Sequence, residues 1–392
     1  MPSREPIADL EFRTHERIAS IGASAWSALA GEDCPPFLRY EWLSALEDTG
    51  CIEPSRGWLA MHVAAYRAGE LVAVAPAYVK GNSEGEFVFD HSWARFCHEN
   101  LGADYFPKLL MAVPFTPASG PRVLFAESED GAEVHAALSQ GLARLVDTAG
   151  LSSGHVLFLP DSSAEHFERA GLCRRFGVQY HWRNAGYASF DDFLSRFSAK
   201  RRHQIRRERR ELRERGIELS ILSGDELGPE LIDHVYEFYA ITVDKHFYGR
   251  RYLNRAFFQE ICARMPKQVL VVLARERGVK KPLGCAFNLV SERALFGRYW
   301  GAREERPFLH FNVCYYAGVE LCIERGLQYF EPGAGGEHKH ARGFESTLTH
   351  SVHYLRDPRL RAPVERFLTQ ERAAIVEHLQ TEKPLFKPDE IC

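Results

Sequence analysis

A strand hairpin, a glycine-stopped helix and a proline-stopped strand occur in the same order twice in this chain, and no other feature limits its fold more. In the first half, residues 58–66 and 71–79 are apolar runs on either side of the turn Ala68-Gly69-Glu70, the pattern of paired, buried strands. A helical pattern follows over 132–149, closed by Gly150, and then a strand at 155–159 halted by Pro160. The second half repeats the design. Residues 268–275 and 283–290 flank a turn at Gly278, a helix runs over 310–325 to Gly326, and a strand at 327–331 stops at Pro332. Glycine just past a helix end takes the left-handed conformation that terminates it. Two such units imply duplication of one α/β (α+β) domain, each copy a mixed, twisted sheet flanked by helices. The length of 392 residues agrees, since single cores rarely grow past roughly 250–300 residues. The expected division is an N-terminal domain at 1–180, a second domain at 181–356, and a C-terminal helix and tail at 357–392.

Composition removes several classes. With 45% hydrophobic and 26% charged residues the chain has ample apolar mass for full cores, and its net charge of −4 means that any site for a polyanion has to be local. No stretch reaches the ~20 apolar residues needed to span a bilayer. The start, Met1-Pro2-Ser3-Arg4-Glu5-Pro6, lacks the basic-then-apolar order of a secretory signal. Nine cysteines (34, 51, 97, 173, 262, 285, 314, 322 and 392) are scattered with no Cys-x-x-Cys pair, which argues against a disulfide framework or a zinc ribbon. His338, His340, His350 and His353 lack a supporting carboxylate or cysteine, and Lys339 between the first two would repel a cation, so no metal is expected. The expectation is a cytoplasmic protein with reduced thiols.

The densest chemistry lies at 331–344. Those fourteen residues hold four glycines, His338 and His340, Lys339, Arg342, Glu331 and Glu337, directly after the apolar strand. Glycines let backbone N–H groups approach a ligand, and the charged side chains supply acid, base and anion-binding groups at the mouth of a sheet. A second concentration is the helix expected over 198–216, capped by Ser198 and ended by Gly216. From 200 to 215 it carries nine Lys/Arg and three Glu, a local charge of 9 − 3 = +6. Lys200, Arg201, Arg202, Arg206 and Arg207 crowd the first half, where cations oppose the helix dipole. A phosphate ligand reverses that penalty. The apolar seam is Ile205 and Leu212, so most of the helix faces solvent or a ligand.

Several runs are similar to a known family. Lys-Arg-x-x-Ile-Arg ahead of Gly216 and the strand at 217–222 resembles the start of the second domain of Fem-type peptidyltransferases. Tyr329-Phe330-Glu331-Pro332-Gly333 through Gly335-Gly336, then Lys339 and Arg342-Gly343-Phe344, resembles their strand, Gly-rich loop and lysine. Gly297-Arg298-Tyr299-Trp300-Gly301, Phe308-Leu309-His310-Phe311, Cys314-Tyr315-Tyr316, Phe89-Asp90-His91-Ser92-Trp93 and Asp104-Tyr105-Phe106-Pro107-Lys108 are similar to a bacterial FemAB-like family, over roughly residues 20–375. The resemblance implies two tandem acetyltransferase-like (GNAT) domains and an N-acyltransferase. Fem-type enzymes move an amino acid from aminoacyl-tRNA to the amine of a cell-wall precursor, and other GNAT enzymes use acyl-coenzyme A. Either donor is a co-substrate, and no resident cofactor is implied.

The residues help to choose between donors. Coenzyme A enzymes of this fold hold the pyrophosphate on a glycine-rich turn ahead of a helix. Here that connection is Ala302-Arg303-Glu304-Glu305-Arg306-Pro307-Phe308-Leu309, without glycine, and its first-half counterpart, 125–131, is acidic. With the basic helix, this favours aminoacyl-tRNA; a non-catalytic RNA-binding protein would leave 331–344 without a purpose. Acyl transfer needs a neutral attacking amine, a stabilised oxyanion and an exit for a proton. Lys339 with the N–H groups of Gly335 and Gly336 suits the oxyanion, and His338 or Glu337 the proton. Glu331 reads equally as a second base or as a strand-end partner of Arg342, itself a candidate anion clamp. Tyr299, Trp300, His310, Tyr315 and Tyr316 are candidate pocket walls. Asp90, His91 and Lys108 are candidates for binding the acceptor amine.

Overall fold

The computed structural model describes residues 10–245, 249–382 and 384–386. Its strands, in chain order, begin with β1 (Leu10–His15), β2 (Trp58–Ala60), β3 (His62–Arg67), β4 (Glu70–Ala75), β5 (Ala77–Lys80), β6 (Lys108–Met111), β7 (Leu124–Phe125) and β8 (Ser153–Leu159). They continue with β9 (Cys173–Arg183), β10 (Ile217–Ser223), β11 (Val269–Glu276), β12 (Gly284–Val290), β13 (Ala294–Ala302), β14 (Tyr329–Glu331) and β15 (Glu345–Leu355). The chain divides into two compact units, Met1–Val178 with Leu348–Gln380 and Gln179–Thr347 with Thr381–Cys392.

In the first unit, β3 and β4 form an antiparallel hairpin in which Arg67 pairs with Glu70 across Ala68-Gly69. The expected pair of long strands is broken in two. Pro76 has no N–H to give a ladder, so it separates β4 from β5, and the facing strand divides at Met61. β1, β3, β4 and β7 make one antiparallel sheet, and β2, β5, β6, β8 and β15 follow one another in a second. β6 reaches its parallel neighbour β8 through helix Gly131–Thr148, where Asp130 Oδ1 caps Ala132 N at 2.7 Å. Val134, Leu138, Leu142 and Val146, spaced four apart, form that helix's buried stripe against Leu109, Met111, Val156 and Val352.

The second unit orders its strands β10-β11-β12-β13-β14-β9. β12 and β13 are antiparallel, β13 and β14 parallel, β14 and β9 antiparallel. The first unit has the same sequence of pairings in β5, β6, β8 and β15. The crossover between β13 and β14 is the expected helix, but it is not a uniform one. Leu309–Phe311 leads into a π-helical turn at Asn312–Tyr316 and then Ala317–Glu324.

The domain limits need a correction. Residues 348–356 and the long helix Pro358–Thr381 up to Gln380 belong with the first unit rather than with the second or with a separate tail. β15 returns past the whole second unit in sequence to close on β8, whereas the end of β9, which opens the second unit, closes on β14.

Candidate active site

The site begins where a ladder stops. β13 and β14 pair as Ala294–Tyr329, Leu295–Phe330 and Phe296–Glu331, after which β14 ends while β13 runs on to Ala302. Pro332 cannot extend the ladder, and it lies so near Gly297 that a Cβ there would meet its backbone at 3.1 Å. The chain then turns through Gly335 and Gly336, at φ 68° and 85°, into a 3₁₀ helix at Glu337–Arg342. The C-terminal ends of parallel strands are where ligands of such sheets bind.

Lys339 points inward from this helix and is 3% exposed. Its Nζ donates to the carbonyl of Gly333 at 2.6 Å and of Ala334 at 3.3 Å, which leaves one N–H of the ammonium unassigned to the loop. Burial lowers its pKa to about 8. His338 is more exposed, with Nε2 2.9 Å from the hydroxyl of Tyr315. Burial, then Arg342 and Lys339, hold its pKa below the ordinary histidine value. His310 lies 5.6 Å from it, ring to ring, and 4.7 Å from Trp300. Burial, aided by His338, Lys339 and Arg342, pushes His310 down to about 4. Trp300, His310, Tyr315, His338 and Lys339 therefore form one aromatic and basic cluster.

Other expected residues are placed differently. Tyr299 points to the opposite side of β13 from Trp300, as strand alternation requires, and packs on Tyr239, Phe258 and Phe287. Glu331 is buried with an oxygen 3.9 Å from His181 Nε2, whereas the carboxylate bonded to Arg342 is that of Glu208. Arg342 is no clamp for an outside anion: it is 6% exposed, and its Nη2 bonds both oxygens of Glu208 at 3.1 and 3.2 Å. Tyr316 also donates to Glu208 rather than lining the cluster. The side chain of Glu337 lies outside the described residues.

Glu208 is the buried partner of Arg342 that sequence reasoning missed. It sits on the basic helix, Ala199–Glu214, and is 1% exposed. The signal was its spacing, three after Ile205 and four before Leu212, on the buried seam itself. On the outer face, Lys200, Arg206 and Arg207 are exposed and Arg201 and Arg202 half-buried. Arg206 pairs with Asp191 at 2.8 Å and Arg207 with Glu211 at 3.5 Å, contacts that solvent screening makes weak. A groove of about 540 Å³ opens beside the helix's second half, lined by Arg209, Leu212, Arg213, Tyr316 and Glu320, and Lys339 does not line it.

In the first unit, Asp90 and Lys108 do come together, but inside the protein. Lys108 Nζ is fully buried 2.5 Å from Asp90 Oδ2 and 2.8 Å from Glu86 Oε2. Tyr105 donates to Asp90 at 2.7 Å, and its hydroxyl lies 3.3 Å from His155 Nε2; His155 meets His353 at 2.7 Å. Burial raises the Asp90 carboxyl, but Lys108, with His155, outweighs it and holds the group below the usual range. Burial prevails at Glu86, raised to about 7. An ion pair so enclosed is not placed to bind an acceptor from solvent, which corrects that expectation for Asp90 and Lys108. His91 is exposed and stacks on Phe89.

The family model for FemAB-like proteins, described as peptidoglycan biosynthesis and recognition, matches residues 17–386. The chain belongs to the FemAB-like family. Among solved structures, FemX is similar over 91% of this chain and 100% of its own, at 12% identity and a TM-score of 0.51. A tandem GNAT protein from the clavulanic acid biosynthesis pathway is similar over 89% and 99%, at 11% identity and a TM-score of 0.47. L-PGS from Bacillus licheniformis is similar over 84% and 95%, at 9% identity and a TM-score of 0.48. No curated protein matches the chain significantly. The chain shares the fold of FemX, and its two units repeat one series of strand pairings. Family membership supports a transferase of the acyl or aminoacyl kind. Among the described residues no helix is long and apolar enough to cross a membrane.

Proposed function

We propose that this FemAB-like protein transfers an aminoacyl group from aminoacyl-tRNA to an amine, and that the reaction takes place at 331–344 in the second unit. The observation that carries the reading is the buried ammonium of Lys339 at the open end of the β13–β14 pair, beside His310, which burial pushes down to about 4, and His338, held below the ordinary histidine value. The amine nitrogen attacks the ester carbonyl carbon, and the carbonyl oxygen, becoming negative, meets Lys339 Nζ and the N–H groups of Gly335 and Gly336. His338 or Glu337 takes the proton lost by the amine, with Glu331 as the second candidate base. Collapse then breaks the ester C–O bond, and the ribose hydroxyl departs carrying that proton. Trp300, His310 and Tyr315 form the wall against which the aminoacyl group lies.

The donor is favoured by the outer face of the basic helix, where Lys200, Arg201, Arg202, Arg206 and Arg207 grip phosphates. Unfractionated aminoacylated tRNA should bind, and for about four phosphate contacts log K should fall by about 3 per tenfold rise in salt. Arg202→Gln with Arg206→Gln should flatten that slope by about 1.5 with the fold intact, since neither side chain lies on the seam. Absence of binding, or an unchanged slope in the double variant, rejects the tRNA donor and leaves acyl-coenzyme A as the donor to test.

A further inference from the structure

The basic helix carries a carboxylate where a helix buried on one side would ordinarily carry an apolar residue. Glu208 turns away from Arg207 and Arg209 beside it in sequence and faces inward. Its Oε1 accepts from Gln204 Nε2 at 2.9 Å, its two oxygens from Arg342, and Oε2 from the Tyr316 hydroxyl. Asn312 Nδ2 reaches its backbone carbonyl at 3.1 Å, so the π-helical turn contributes both Asn312 and Tyr316 to one residue. A π-helical turn within an α-helix frequently marks a functional position.

Arg342 passes the connection on. Its Nη1 donates to the carbonyl of His338 at 2.9 Å, and its guanidinium lies 3.3 Å from the centroid of Phe311. Its Nε is buried with no hydrogen-bond partner, so Glu208 and that carbonyl carry the polar contacts that hold the group. Lys339 follows His338 directly, with its own N–H on the carbonyl of Gly336 at 2.9 Å. Stability alone does not explain the arrangement, because a buried ion pair is often no more stabilising than apolar residues of the same shape. What it supplies is a fixed position.

We propose that Glu208 is a positioning residue for the transfer reaction: it holds Arg342, and through Arg342 the carbonyl of His338, so that Lys339 stays seated under the loop. The inference rests on reading Lys339 as the group that meets the acyl oxygen. It also places the phosphate-gripping face and the reaction loop on opposite sides of one helix, joined by a single carboxylate.

The test needs neither donor nor acceptor. Competitive acetylation of the full chain by acetic anhydride, followed across pH by peptide mass spectrometry, gives the titration midpoint of Lys339. The native protein should titrate near pH 8. In Glu208→Gln the loop loses its seat, and the midpoint should rise by about one pH unit or more toward the ordinary lysine value of about 10.4. Arg342→Lys, which keeps the charge but loses the forked link, should move it the same way, and Tyr316→Phe, which leaves that link in place, should not. A folded Glu208→Gln protein with an unchanged Lys339 midpoint overturns the proposal; should that variant not fold, an unchanged midpoint in Arg342→Lys does so. A shifted midpoint together with a failed transfer assay would count against the donor reading and leave the role of Glu208 standing.

Discussion

Replacing Lys339 with methionine is expected to lower kcat by about 10²–10³-fold, the usual loss when one oxyanion donor is removed. The change leaves the carbonyls of Gly333 and Ala334 without their ammonium partner, but both residues border solvent and water can replace it. Unfolding of the variant by urea should therefore stay within about 1 kcal/mol of the native protein. The pH profile carries a second signature. Lys339 must be charged to meet an oxyanion, and its pKa is lowered to about 8, so kcat should decline as pH rises through about 8. His338 must be neutral to take a proton, and because its pKa is lowered, the acid limb should fall below the ordinary histidine range. A profile still rising at pH 9 would remove Lys339 from the role.

Lys108→Met should be strongly destabilising in the first unit. It leaves Asp90 and Glu86 as two carboxylates in the interior without their cation, a loss of about 3–5 kcal/mol. The deficit should depend on pH, with a sign fixed by Glu86. Its folded pKa, about 7, lies above its ordinary value of 4.5, so the folded state binds more protons between those limits. Stability from this group is present at low pH and lost as pH rises through that window. Without Lys108 the carboxyl is raised further, and the variant should be closer to the native protein at pH 5 than at pH 8 in urea unfolding. Equal losses at both values would show that Glu86 does not titrate there.

The repeat was legible because its punctuation is local. A glycine after each crossover helix and a proline after each following strand mark the β6–β8 and β13–β14 units without knowledge of any partner. The partners of β9 and β15 were not legible. Residues 173–183 and 345–355 carry strand patterns, but nothing within them says which sheet they join, because pairing is decided by distant edges. The loop at 331–344 was singled out by its chemistry, and Lys339, His338, His310, Tyr315 and Trp300 lie together beside it. Tyr299 was misplaced by taking a dipeptide as one wall, when successive strand residues face opposite ways. Glu208 escaped because charge in a basic helix was counted along the sequence, where it is one of three glutamates, rather than around the helix, where it lies on the buried face. Arg342 was misjudged for the same reason: its anion is internal and distant in sequence.

The central claim is that Lys339 and its loop form the centre of an aminoacyl transfer. The most direct measurement incubates the protein with tRNA charged with radiolabelled amino acids and a bacterial small-molecule extract as the source of amines, and counts label that survives mild alkali. The ester of aminoacyl-tRNA is cleaved by that treatment and an amide is not. Alkali-stable label formed by the native protein, and reduced about 100-fold or more in Lys339→Met, is the predicted result. Label that Lys339→Met forms at the native rate, or none at all from charged tRNA, would contradict it.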